Sequence, residues 1–185
     1  SIRPVARRFS RIQGKARGQD TLRVGGGNAE LELGVSVWVI RAGRSGEAEP
    51  LFFERNVIVL GWGNVGDLRE LDDTRDAIKA RVAGIYGVDS NHVLASTAGM
   101  LFRFVHEARV GDVVVYSSRL IDSIHLGCIT GEYQYSPSIS ADFPHQRPVH
   151  WLCTHPRTLF PRSALDEIGA SQAFFKVQRH AERFL

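Results

Sequence analysis

The chain has 185 residues and a formal net charge of +3. That length predicts one domain with room for an appendage. A hydrophobic share of 43% is enough for a sizeable core. No run approaches the roughly 18 consecutive apolar residues of a membrane helix, and no charged stretch followed by an apolar segment opens the chain, so neither a spanning helix nor a secretory signal is expected.

Two cysteines, Cys128 and Cys153, are too few for a disulfide framework. Both lie in apolar, strand-like runs and read as buried thiols in a reducing cytoplasm. The charge is unevenly spread. Residues 1–23 carry seven basic groups against Asp20, whereas the remaining 162 residues carry 16 basic and 19 acidic groups. The basic character therefore belongs to a leader, which either grips phosphates or serves as a solvated linker. The run Gly25-Gly26-Gly27 marks a joint. The expected organisation is a leader over 1–30 and a folded body over 31–185, excised from a longer protein.

In chain order, residues 35–43 (VSVWVIRAG) predict a first strand, rich in β-branched residues and flanked by glycine. Residues 51–63 predict a hairpin turning near Glu54-Arg55-Asn56. Residues 72–87 predict a helix capped by Asp73 or Thr74 and stopped by Gly87, with Ile78, Val82 and Ile85 on one face. A second helix is expected over 90–108 with Ser90 as its cap. Gly99 marks a possible break, which would leave 101–105 extended. Residues 110–118 predict a strand entered through a Gly111-Asp112 turn. A long strand over 123–136 contains Gly127 and Gly131, which suggest bulges or a barrel bend. Another strand over 147–153 precedes a short helix, a Gly169 stop and an apolar element ending near Val177. Five or six strands with two or three helices, lacking regular alternation, predict an α+β fold: a small curved or pseudo-barrel sheet with helices packed outside.

Several chemistries lack their residues. The glycine-rich stretches 25–27 and 61–66 have no phosphate-loop lysine, and no dinucleotide fingerprint or Gly-x-Ser-x-Gly elbow occurs. His145, His150, Cys153 and His155 fall within eleven residues. Alternation along a strand sends His150 and Cys153 to opposite faces, so neither a metal nor another cofactor is expected. Ser117, Ser118 and His125 lack an evident third partner for a triad.

What remains is aromatic and polar. Trp62 stands between Gly61 and Gly63, and glycine lets another group approach closely. It is either a buried plug or a face presented to a ligand. Tyr116, Ser117 and Ser118 end a strand, and Tyr133 and Tyr135 share a strand face. Trp38 and Trp151 lie inside strands and read as core. Aromatic faces with a few polar edges suit a pocket for a planar ring.

The order Trp-Gly-Asn-x-Gly-Asp-Leu, helices, Gly-Asp-Val-Val-Val-Tyr, His-Leu-Gly-x-Ile-Thr-Gly-Glu-Tyr-x-Tyr and His-x-Arg-Pro-Val-x-Trp resembles the PUA-like superfamily. Within it the EVE, YTH and ASCH domains are the nearest kin. The chain looks most like the amino-terminal domains of bacterial modification-dependent restriction endonucleases of the Mrr type. The resemblance covers residues 35–177 and is carried best by 111–116 and 127–135. It implies a pseudo-barrel that takes a modified, methylated base, flipped or unpaired, into an aromatic pocket. Trp62, Gly63, Asn64, Tyr116, Ser117, Ser118 and Tyr133 would form that pocket. Ser117 stands where EVE domains carry histidine. Arg81, Arg103, Arg119 and Arg147 would contact the nucleic-acid backbone, although Arg147 would equally serve to brace the barrel. The implied partner is DNA containing a modified base, with a nuclease domain fused or associated and no catalysis in this chain. The competing readings are a sensor of a free nucleotide-like small molecule and an RNA-binding module of the same superfamily.

Overall fold

The computed structural model describes residues 34–185, except residues 89 and 119. The leader expected over 1–30 lies outside the described residues. The fold is α+β, a curled half-barrel sheet with helices against it.

The strands are β1 (Val37–Ile40), β2 (Val57–Leu60), β3 (Val113–Ser117), β4 (Ser123–Ile129), the two-residue β5 (Gln134–Tyr135), β6 (His145–Pro156) and β7 (Phe174–Lys176). Their order is β2-β6-β4-β3-β1-β7, with β5 also paired to β6. Among the described residues only β1 and β3 pair in parallel, and the other pairs are antiparallel. The curl comes from β6. Its first four residues pair with β2, and its later residues pair with β4, so one long strand joins β2 to the rest of the sheet. The β4–β6 register shifts between Leu126 and Gly127. A Cβ at Gly127 would lie 2.9 Å from both Trp151 and Val149 side-chain atoms. The bulge needs glycine for that close approach.

Alternation along β1 and β3 divides the interior in two. Trp38, Ile40, Val114 and Tyr116 face a large core beneath α1 (Glu49–Glu54), α2 (Arg75–Tyr86) and α3 (Asn91–Phe102). Val37, Val39, Val113 and Val115 face a smaller core closed by α4 (Arg162–Ile168) and Phe184. The buried Asp112 carboxylate ties the β1–β3 entry together. It accepts from the Ser36 and Arg109 amides and from Trp38 Nε1 at 2.8–2.9 Å.

Three expected elements differ. Residues 51–54 belong to helix α1 rather than a hairpin strand. Pro50 sits at its first turn, a position that suits proline, and Phe52 is fully buried while Phe53 is not. Helix α3 does not break at Gly99; it runs on into a π turn over Arg103–Glu107. The strand expected over 123–136 stops at Ile129 and resumes only as β5. A Cβ at Gly131 would meet Pro148 at 2.7 Å, so this glycine marks a crossing rather than a strand interior. Among the described residues no helix is long and apolar enough to cross a membrane.

Candidate functional site

Strand β2 delivers the chain into Gly61-Trp62-Gly63. Trp62 has φ 64° and ψ 35°, the left-handed region that a bulky side chain rarely adopts. Two bonds to its carbonyl hold it there. The Val65 amide donates to it at 3.0 Å, and His145 Nε2 lies 3.3 Å away. A carbonyl can only accept, so Nε2 carries the imidazole hydrogen. Nδ1 is then the acceptor for the Tyr133 hydroxyl, 2.7 Å away. That hydroxyl in turn accepts from the Leu68 amide at 3.4 Å. A relay thus runs from Leu68 through Tyr133 and His145 to Trp62. Tyr135 adds a bond to the Gly63 carbonyl.

Gly63 has its own reason to be glycine. A Cβ there would fall 2.6 Å from the Ala141 carbonyl oxygen. The group that approaches this glycine closely is the chain's own backbone.

The Trp62 side chain is half-buried and lines a cleft of about 650 Å³. Leu60 and Met100 contribute apolar surface, and Phe143 and Tyr86 add further aromatic walls. Ser96, Thr97 and Gln172 supply hydroxyl and amide groups, and Arg41 and Arg44 supply positive charge. This volume lies within the range of roughly 300–1,000 Å³ typical of small-ligand sites.

The residues expected to form one pocket are distributed over three places. Trp62 lines the cleft, whereas Gly63 and exposed Asn64 follow it in the loop and do not. Tyr133 is buried behind the loop, where it bonds His145 and lines neither the Trp62 cleft nor that of Tyr116. Tyr116, Ser117 and Ser118 line a second cleft of about 450 Å³, with Arg157 and Asp122. There the Ser117 hydroxyl accepts from Arg157, and the Tyr116 and Ser118 hydroxyls donate to Glu49. Arg41 and Gly43 border both clefts, so the 41–47 segment separates them.

The arginines diverge as well. Arg81 is exposed on α2, with Nη1 3.5 Å from the Val65 carbonyl of the Trp62 loop. Arg103 is half-buried, and its Nε has no hydrogen-bond partner among the described residues. Arg119 lies outside the described residues. Arg147 is 1% exposed and braces the barrel, which removes it from phosphate contact. Sequence reasoning missed Arg41, Arg44, Tyr86, Ser96, Thr97, Phe143 and Gln172. The available signal was weak: two arginines flanking Ala42-Gly43 after a strand, and small polar residues on an otherwise apolar helix face.

Burial pushes the His145 imidazole down to about 4, against the opposing pull of the Trp62 carbonyl and Asp67. His145 is neutral at pH 7, as the relay requires. The unfolded chain takes up a proton near pH 6.5. The folded chain resists until about pH 4. The stability this group contributes is therefore full above about pH 6.5 and is lost as pH falls towards 4, by about 2–3 kcal/mol. Burial shifts His125 in the same direction, so part of the slope belongs to it. Urea unfolding at pH 7 and pH 4.5 is expected to show a smaller loss in His145→Gln than in the parent. Equal losses would refute the assignment.

Comparison with protein families gives one match. Residues 38–173 fit the model of a domain of unknown function, DUF8426, and the chain belongs to that family. The matched span contains every residue lining the Trp62 cleft. No curated protein and no solved structure matches the chain.

Proposed function

We propose that the chain is a DNA reader module of the PUA-like kind, which takes a modified, most simply methylated, base into the Trp62 cleft. It is a non-catalytic specificity domain of a restriction or defence system, and cleavage belongs to a nuclease domain elsewhere. The observation that carries this reading is Trp62, a large aromatic held in a left-handed conformation on the wall of a cleft of ligand size. Such a conformation costs on the order of 1–3 kcal/mol and persists where the surroundings over-determine it, often at ligand sites.

The chemistry of the cleft suits a flipped base. Extrusion costs a few kcal/mol, which stacking and edge hydrogen bonds must offset. Trp62 and Phe143 offer ring faces, Ser96, Thr97 and Gln172 read ring edges, and Arg41 and Arg44 suit the flanking phosphates. A methyl group adds only about 1 kcal/mol of apolar burial. Discrimination therefore depends on a close fit against Leu60 and Met100.

The second reading, a sensor of a free nucleotide, draws on the acidic balance outside the leader. Fluorescence anisotropy separates the two. Matched duplexes would carry no modification, 5-methylcytosine, 5-hydroxymethylcytosine or N6-methyladenine, each at two salt concentrations. The reader predicts preference for one modified duplex and a steep loss of affinity with salt. Equal, salt-sensitive binding to all four, or no binding, would overturn it; no binding would favour the nucleotide sensor.

A further inference from the structure

A third cleft, about 460 Å³, shares no lining residue with the other two. Glu49 and Phe53, four apart on α1, meet His125 of β4 and Trp151 of β6 there. The rings form a continuous bowl. Phe53 lies 4.8 Å from His125 and 5.3 Å from Trp151, centroid to centroid. Tyr116 stacks behind His125 at 5.7 Å.

Glu49 is half-buried, and among the described residues no lysine, arginine or histidine forms an ion pair with it. The Tyr116 and Ser118 hydroxyls both donate to its Oε2. A carboxylate drawn from water without a counter-ion is costly, and hydroxyl donors offset only part of that cost. The aromatic faces around it are also electron-rich. Burial pushes the His125 imidazole down against the opposing pull of Glu49, which disfavours a positive charge on that ring. Among the described residues no three His, Cys, Asp or Glu side chains gather to hold a metal ion. An organic cation meets both demands: its charge pairs with Glu49, and its methyl or methylene groups lie on the rings.

We propose that this bowl is a binding site for a small organic ammonium ion, independent of the Trp62 cleft and of what that cleft binds. The test is calorimetric titration of the full chain with choline and with its neutral isostere 3,3-dimethyl-1-butanol. Choline is expected to bind at least about tenfold more tightly than the isostere. Glu49→Gln keeps an acceptor for the two hydroxyls but removes the charge, and should weaken choline by about tenfold or more at an unchanged melting temperature. Phe53 is 37% exposed, so Phe53→Leu keeps apolar cover over the core and should weaken choline several-fold through loss of the ring face. This second variant decides the question should Glu49→Gln fail to fold. Failure of choline to bind, equal affinity for both probes, or choline affinity unchanged in a folded variant would overturn the proposal.

Discussion

Trp62→Ala is expected to abolish preference for a modified duplex while the protein stays folded. Stacking on an aromatic side chain contributes about 1–3 kcal/mol per base, so affinity should fall by about 5- to 150-fold. A second substitution sharpens the test. Trp62 stands at φ 64°, and glycine alone adopts that conformation without strain. Trp62→Gly should therefore lose binding as fully as Trp62→Ala yet be the more stable of the two. A Trp62 that merely plugs the core predicts the opposite pattern. Both variants would then melt several degrees lower, because the ring packs against the large core, and both would bind as before. Anisotropy and thermal melts on the two proteins distinguish these outcomes.

Much of this arrangement was legible in the sequence where the signal is local. β-branched runs beside glycine marked β1 and β3, whereas which of their residues face which core is seen only in the structure. Thr74 and Ser90 cap their helices as expected, accepting from the amides three residues on, and Gly87 ends α2 at φ 57°. Residues 51–53 were not legible, since a three-residue apolar run fits a strand and a buried helix equally well. Pro50, just before that run, suits the first turn of a helix, which is where the structure places it. Tyr133 shows the deeper limit. It was expected to share a strand face with Tyr135 but lies just before β5, and both rings nonetheless meet His145. The partner that turns Tyr133 into a brace for Trp62 lies twelve residues on, across a loop. Likewise the Trp62 cleft draws on β2, α2, α3, the 41–47 segment and the residues before β7, and no spacing in the sequence announces that convergence.

Arg147 carries the second large effect. Its sequence context allowed a phosphate contact or a structural brace, and the structure selects the brace for a reason found in α3. That helix ends in a π turn, closed by the Ala108 amide on the Arg103 carbonyl. Carbonyls in a last helical turn have no partner within the helix. Arg147 fills that gap, with Nε 2.6 Å from the Phe104 carbonyl and Nη2 2.8 Å from that of Val105. Nη1 reaches the Gly131 carbonyl at 3.3 Å, so one guanidinium joins the helix end to the β4–β5 crossing. Burial pushes this guanidinium down, while Glu132, 3.6 Å away, pulls it up. Arg147→Met replaces the stem but orphans three carbonyls, each costing about 1–3 kcal/mol when buried. The expected loss is about 3–5 kcal/mol, or about 10 °C in melting temperature for a domain of this size. Arg147→Lys should recover only part of it, because one ammonium cannot reproduce the planar fork. Urea unfolding of the three proteins reads this directly. An arginine whose only task was to hold phosphate would leave stability within about 0.5 kcal/mol and instead lower the salt slope of binding by about one.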